Sequence, residues 1–562
     1  MKHNYLLFSL LFSTLTLLGQ SPINPKLLWA TPIQAASDSP EDIGMEFMDL
    51  AVSPEGDTYV TGYCTAPCAF GPGAIVTPDA GGQSIFIAKY KPSGQFEWVK
   101  DLGTIGEGSV HITAPFLDGV YLATSFTVAS VNLGNGISVN KVCAGSNCAD
   151  GLLVKIDPTG ATLWAKTYTG DSNSSFQANG IVHSGIGKMV AMYSYGSTLL
   201  NLGPGFVFDD KPETGIFVSF FDAGTGATTD VKFPGNSPSV IEGRNLAFNQ
   251  NGAGVITGVF FDQITFTNGV TLTTTDVFGS YFVAGMDAIG NIQWVSNLSS
   301  SDYVDLLSAK VNNAGDVYLA LDVSGVLYLD NNQILTVNTN YAGTVLKLDG
   351  NSFYIPVFIP YDSDDYPVMD LAIDPWDNIN TVGYTSEPIF FGNKSIIPDG
   401  CVDGLITRTT IDGAPYDART IGGGGCEAFG NYYYGSCIEF DEAGYLYGAG
   451  GFLFNFNEDG INFNGRGGFV SRFITPTLST NEQEVLTLDA FPNPNSGSFT
   501  IQLPEIPESE ALLSITNLSG QEVYRQSGIQ QEILVKTNLS SGIYLVSVID
   551  GKRVYQQKVT VL

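Results

Sequence analysis

Hydrophobic and polar positions alternate along most of this chain in short runs broken by Gly, Asn, Asp and Pro. This is the period-two pattern of half-buried strands joined by tight turns. The clearest example is Phe86–Lys100, FIAKYKPSGQFEWVK, which reads as a strand, a Pro-Ser-Gly turn and a second strand carrying Trp98. Relatives recur at Leu152–Lys166, Phe217–Lys232 and Phe282–Val295, with weaker copies at Thr344–Val357 and Leu405–Arg419. Their turn glycines Gly94, Gly160, Gly226, Gly290, Gly350 and Gly413 are spaced by 66, 66, 64, 60 and 63 residues. A near-constant period of this length marks an array of structural repeats.

Each repeat holds more than one hairpin. Before the Trp-bearing hairpin comes a strand, an acidic or Gly turn and another strand, as in Asp49–Tyr63, Leu306–Leu321, Asp370–Tyr384 and Cys437–Gly450. A further short hairpin sits between the two pairs, first at Ala69–Asp79 and last at Asn455–Gly465, in seven copies. Four main strands per repeat predict propeller blades, whose radial closure leaves no long free edge. The seventh copy ends at Phe469–Phe473 without a Trp strand. Pro25–Pro32, PKLLWATP, aligns with Gly94–Asp101 and places Trp29 on Trp98. The expectation is an all-β chain: a seven-bladed β-propeller over 25–474, closed by an N-terminal strand. A linker at 475–485 and a small Ig-like β-sandwich at 486–562 follow.

Composition agrees with β structure and adds a cell address. Apolar residues make up 44% and charged ones 14%, with 65 glycines. The formal charge of −32 argues against nucleic-acid or anionic-membrane partners, because nothing neutralises phosphates. Residues 1–19 read as a secretory signal peptide, with Lys2 and His3 before an apolar run and a small-residue exit at Gly19. Export permits disulfides. Cys64/Cys68 and Cys143/Cys148 could each close a small loop, and Cys401, Cys426 and Cys437 leave one thiol over, Cys426–Cys437 being one candidate pair. Zinc is disfavoured, since only His111 and His183 remain and there is no Cys-x-x-Cys pair.

These motifs resemble bacterial secreted β-propeller repeats, in which strand, turn and Phe-x-x-Lys-x-Asp-x-x-Gly-x-x-x-Trp elements alternate. The Asp157/Gly160/Trp164 and Asp287/Gly290/Trp294 patterns also resemble the docking motif of quinoprotein dehydrogenases. A Trp packed between adjacent blades is the favoured reading. The carboxy-terminal segment resembles the type A sorting domain of the type IX secretion system. The matching residues are Pro492-Asn493-Pro494-Asn495, Gly520 in Leu518-Ser519-Gly520-Gln521, Gly542 and Tyr544 in Ser541-Gly542-Ile543-Tyr544, and the ending with Lys558. The resemblance implies passage through the periplasm, a type IX translocon and a surface sortase as partners, and either attachment to surface lipopolysaccharide or release.

For the functional site the sequence leaves several readings open. The tight-turn face offers little room, so a site is expected among the inter-blade loops. Its acidic loops are Asp38–Asp49, with Glu41, Asp42 and Glu46, and Tyr361–Asp370, with Asp362, Asp364 and Asp365. The last three could bind calcium, which takes six to eight oxygens, or could simply be solvated. Phe429, Tyr432, Tyr433 and Tyr434 could stack on sugars or pack as strand residues. No cofactor fingerprint or nucleophile motif is present. The leading expectation is a non-enzymatic surface module that binds a glycan or protein. The alternative is an extracellular polysaccharide hydrolase or lyase.

Overall fold

The computed structural model describes residues 25–475 and 485–561 apart from short internal stretches, the longest being 37–43, 358–367, 429–436 and 504–511. Among the described residues the chain is all-β, with no helix. It divides into two compact units, Met1–Pro476 and Thr477–Leu562.

The first unit repeats one pattern. Met45–Val52, Thr58–Cys64, Ser84–Tyr90 and Phe96–Gly103 pair antiparallel in chain order. Six further sets of four follow, with first strands His111–Phe116, Ser175–His183, Ile241–Phe248, Tyr303–Val311, Asp370–Ile373 and Cys437–Phe440. The last set takes its fourth strand from the other end of the chain. Lys26–Ala35 pairs antiparallel with Ile461–Ile474, setting Trp29 opposite Arg472 and Pro32 opposite Phe469. The first strand of each set lies beside that of the next, and Cys437–Phe440 lies beside Met45–Val52.

Burial explains the hydrophobicity of the middle strands. Every residue of Thr58–Cys64 and Ser84–Tyr90 is buried, as is every residue of Gly119–Phe126, Asp150–Ile156, Gly254–Phe260, Ser280–Met286, Ile379–Thr385 and Asp403–Thr409. A strand covered on both faces reads as a nearly continuous apolar run. The sets therefore pack face against face.

Two devices join neighbouring sets. The first is the turn glycine with its Trp. The indole N–H of Trp98 donates to Pro158 O at 2.9 Å, and that of Trp164 to Ala223 O at 3.3 Å. Gly226, at φ +70°, is bare because a Cβ there would stand 2.6 Å from Trp164. The second is a buried cation on the third strand, which pairs with a turn carboxylate of its own set. Lys89 Nζ also donates to Pro158 O and Lys155 Nζ to Ala223 O of the next set, both at 3.3 Å. Lys89 pairs with Asp57 at 2.6 Å and Glu97 at 2.8 Å, Lys347 with Asp316 at 2.8 Å, and Arg408 with Asp374 at 2.6 Å. Lys155 takes the same place beside Asp118. Lys89, Lys155 and Lys347 also lie over the rings of Tyr59, Tyr121 and Tyr318. Each aliphatic stem is buried while its ammonium clamps a turn carboxylate.

The cysteines correct part of the expectation. Cys143 and Cys148 form a disulfide. Cys64 and Cys68 do not: both are buried free thiols, and Cys68 Sγ donates to Ala66 O at 3.2 Å and Gly44 O at 3.4 Å. Cys437 is likewise a free thiol rather than the partner of Cys426. Cys437 pairs with Ala449 and Cys426 with Leu453 of the same strand. Four residues of strand span about 13 Å at 3.3 Å each, roughly twice what a disulfide bridges.

In the second unit, two sheets share one core. One runs Val485–Thr487, Arg553–Val561, Gly542–Asp550, Leu512–Asn517, Glu522–Ser527; the other runs Asp489–Phe491, Ser498–Gln502, Glu532–Lys536. Phe499, Ile501, Leu513, Ile515, Val546 and Val559 fill the space they enclose.

Candidate functional site

The seven first strands line a cavity of 810 Å³. Its walls extend to the tight turns, reaching Ser53-Pro54, Gly185, Asn249-Gln250 and Asp441-Glu442. This hollow therefore runs along the strands toward their tight-turn ends.

The local cause is irregularity in the strands that line it. Register shifts occur between Phe47 and Asp49, Ala178 and Gly180, Gly243 and Leu246, and Leu306 and Ser308. A bulge turns one extra side chain out of the sheet plane. In the first set the extra residue is Met48, and next to it, opposite Thr61, stands the carboxylate of Asp49. Its Oδ1 accepts from Leu50 N at 2.8 Å, and its Oδ2 accepts from Ile112 N of the next set at 2.8 Å. Asp370 repeats the arrangement, accepting from Leu371 N at 2.8 Å and, across to the next set, from Ile438 N at 2.9 Å. Both acids thus hold neighbouring strands together while facing the cavity.

Around them is a mixed cluster. Lys310 Nζ lies 3.1 Å from Glu439 Oε2, and His111 Nδ1 lies 3.8 Å from Asp49 Oδ2. Cys437 is buried in the same wall. Enclosure sets the protonation of these groups. Burial pushes the Asp49 carboxyl up to about 7, only partly offset by the Ile112 amide and Lys310. Asp370 is raised for the same reason, with Lys310 opposing. Burial alone would push Lys310 down, but Glu439, Asp370 and Asp49 together hold it above its ordinary value. Burial also pushes His111 down to about 4, so its imidazole is neutral. His183, at the turn end of the cavity, accepts from Gly185 N through Nδ1 at 3.3 Å and is likewise lowered by burial.

Two carboxyls with raised pKa, one paired carboxylate and one ammonium share this enclosure. Such a set can hold hydrogen-bond donors, and it can give and take a proton near neutral pH. Among the described residues no group of three His, Cys, Asp or Glu side chains is placed to hold a metal ion.

Asp362, Asp364 and Asp365, and Phe429, Tyr432, Tyr433 and Tyr434, fall outside the described residues, as does Gly520. The acidic loops did contribute, but through their last members: Asp49 and Asp370 are strand residues of the cavity wall. Lys310 and Glu439 were missed. A signal was present in the copies Met48-Asp49-Leu50-Ala51 and Met369-Asp370-Leu371-Ala372, which place the same acid in two repeats.

The sorting-motif residues have structural partners in the second unit. Thr560 N donates to Asn493 Oδ1 at 2.8 Å, Asn493 Nδ2 donates to Lys558 O at 2.7 Å, and Asn495 N donates to Thr560 O at 2.9 Å. The Pro492–Asn495 segment is thereby laced to the final strand. Tyr544 Oη donates to Ser540 O at 2.8 Å.

Comparison with known proteins bears on this second unit. Residues 489–562 match the family described as the secretion system C-terminal sorting domain. The ulvan lyase NLR42 of Nonlabens ulvanivorans is 36% identical over 88 residues, which span 15% of this chain and 16% of that protein. Among solved structures, PorZ, an essential bacterial surface component of the type IX secretion system of Porphyromonas gingivalis, aligns over 92% of this chain and 82% of its own, with 11% identity and a TM-score of 0.20. A point mutant of the GH43 protein BlXynB of Bacillus licheniformis aligns over 79% of this chain and 97% of its own, with 10% identity and a TM-score of 0.25. Scores this low decide neither fold nor activity. The sorting domain does decide the destination: the chain is exported by type IX secretion to the cell surface or the extracellular space.

Proposed function

We propose that this exported chain is a surface-displayed or released seven-bladed β-propeller that binds a glycan or protein ligand in its central cavity. The side-by-side order of the seven first strands, returning from Cys437–Phe440 to Met45–Val52, supports closure. The pairing of Lys26–Ala35 with Ile461–Ile474 supports a latch made from the two ends. In this reading residues 1–19 are a signal peptide, the second unit is an Ig-like sandwich, and a surface sortase removes it or links the product to lipopolysaccharide.

One observation carries the binding assignment: Asp49, Asp370, Glu439 and Lys310, from four sets, converge on one cavity of a size suited to small ligands. The test uses protein recovered from the surface or medium of its own cells, screened against a glycan panel and cell extracts. A ligand whose binding is lost in Asp370→Asn supports the reading. Binding indifferent to every cavity variant refutes it.

A second reading, a hydrolase or lyase of extracellular polysaccharide, is favoured by the Asp49 carboxyl near 7 beside the Lys310-paired Glu439. A carboxyl that holds its proton near neutral pH is suited to act as a general acid. It predicts turnover of some extracellular polymer that disappears in Asp49→Asn; inertness across a broad substrate panel rejects it.

A further inference from the structure

We propose that the central cavity takes a ligand carrying a protonated primary amine, seated between Asp49 and Asp370. This rests on the binding assignment above and specifies its chemistry.

The argument begins with charge. Among the described residues that line the cavity Lys310 is the one cation of the Lys/Arg class, facing Asp49, Asp370 and Glu439. Lys310 and Glu439 satisfy one another at 3.1 Å. Asp49 and Asp370 are left with backbone amides as donors, Ile112 and Leu50 for the first, Ile438 and Leu371 for the second. The Ser308 hydroxyl adds one more at Asp370. His111 does not make up the deficit. It sits 3.8 Å from Asp49 but is neutral, and it donates to the Ala178 carbonyl. An enclosed site with more carboxylates than cations favours a cationic guest and disfavours anions.

The nature of the cation follows from what surrounds it. A metal ion needs several ligand atoms at bonding distance, and no three candidate side chains among the described residues are so placed. The carboxylates stand on different sets, with a hollow of 810 Å³ between walls that include Met48, Ile181, Leu246 and Leu307. Separated acids with apolar walls suit an ammonium on an organic body, which donates up to three hydrogen bonds in different directions. The amine belongs to an amino sugar or to a free alkyl polyamine, and the experiment separates these sources.

Binding should respond to pH through Asp49, which His111 faces from one neighbouring strand, Cys437 and Glu439 from the other, and Lys310 and Asp370 across the cavity. As pH rises through about 7 Asp49 ionises, while an alkyl polyamine remains protonated; an amino-sugar amine loses its proton over the same range, so the pH signature is read with the polyamine.

The test is calorimetry of the exported protein with glucosamine oligomers, N-acetylglucosamine oligomers of equal length, and spermidine. The expected result is one site per chain with the free amine, weakened about tenfold or more by N-acetylation, and, for spermidine, stronger at pH 8 than at pH 6. Preference for spermidine over glucosamine oligomers would assign the alkyl source, and the reverse the sugar source; both support the amine. Asp49→Asn and Asp370→Asn should each lose about tenfold, whereas salt-sensitive, multi-site association with the acidic exterior should survive them. Lys310→Met, which leaves the carboxylates without their cation, should tighten binding. Equal affinity for acetylated and free oligomers overturns the proposal, and that comparison needs no variant to fold. If the acetylated oligomer binds and cavity variants abolish it, the binding assignment stands and the amine is refuted. If cavity variants affect nothing, both fail.

Discussion

Trp29 and Gly94 are in van der Waals register: a Cβ on the glycine would stand 2.6 Å from the Trp29 ring, and the Trp29 indole N–H donates to Pro92 O at 2.9 Å. The same relation links Trp98 with Gly160 and Trp164 with Gly226. The strand from the start of the chain therefore makes the junction that other sets make internally. Trp29→Ala should destabilise the first unit by about 2–4 kcal/mol, about 1 kcal/mol below the range for truncating a fully buried aromatic because Trp29 is half-buried. Urea denaturation compared with Trp98→Ala measures it, and a loss below about 0.5 kcal/mol would remove this junction from the account of closure.

Gly94→Ala and Gly73→Ala separate two costs. Gly94 has φ +81° and Gly73 φ +75°, but nothing lies within 4 Å of a Cβ at Gly73. Gly73→Ala should cost about 1 kcal/mol of backbone strain, and Gly94→Ala at least 1 kcal/mol more from displacing Trp29. Equal losses would show that the indole contact has no energetic weight.

Arg408 and Asp374 form an ion pair at 2.6 Å with both side chains fully buried. Arg408→Met should cost about 3–5 kcal/mol, because it strands a buried carboxylate. That carboxylate also accepts from Trp376 N and Asn378 N, so the turn at 374–378 should loosen with it. Hydrogen exchange at those amides, together with the melting temperature, reads both effects.

The cavity gives stability a pH signature with two opposing parts. Asp49 is raised from 3.8 to about 7, so the folded state holds its proton more tightly and the contribution falls as pH rises through that window. His111 is lowered from 6.5 to about 4, so its contribution is complete above pH 6.5 and is lost as pH falls toward 4. Asp49→Asn should leave a profile that climbs from pH 4 to 6.5, and His111→Gln one that declines from pH 4 to 7. Denaturation midpoints across pH 4–8 test this, and identical profiles for the two variants would contradict it.

Removal of 486–562 should leave the protein in the periplasm, as judged by fractionation and surface protease accessibility. Asn493→Ala, which cuts the lacing to Lys558 and Thr560, should reduce surface delivery if that segment must be ordered for recognition. Normal display of the truncated chain would refute the sorting role.

The strand order of each set was legible because turn chemistry and alternation are local. Trp29 was legible because it aligns with Trp98. The lysines of FIAKYK and LLVKID were not read as buried, since Lys is ordinarily a surface residue; only the packing of one set on another shows Lys89 and Lys155 enclosed beside Asp57 and Asp118. The cavity was hidden for a related reason. Asp49, Lys310, Asp370 and Glu439 become neighbours only when distant strands converge, and their local sequence resembles ordinary acidic strand ends. Asp49 and Asp370 appeared merely as the far edges of two loops.

The latch between Lys26–Ala35 and Ile461–Ile474 brings Leu27 N within 2.8 Å of Asp459 Oδ2, 432 residues away. A chain that crosses a membrane amino end first delivers one half of that latch at the outset and the other almost last. Until then the early strand is an unpaired edge, open to wrong partners and to proteases. Completion of the final sheet is thus a check on the first unit: a product that stops before Ile461–Ile474 has no strand to pair along Lys26–Ala35, and only a chain carrying both strands closes that sheet.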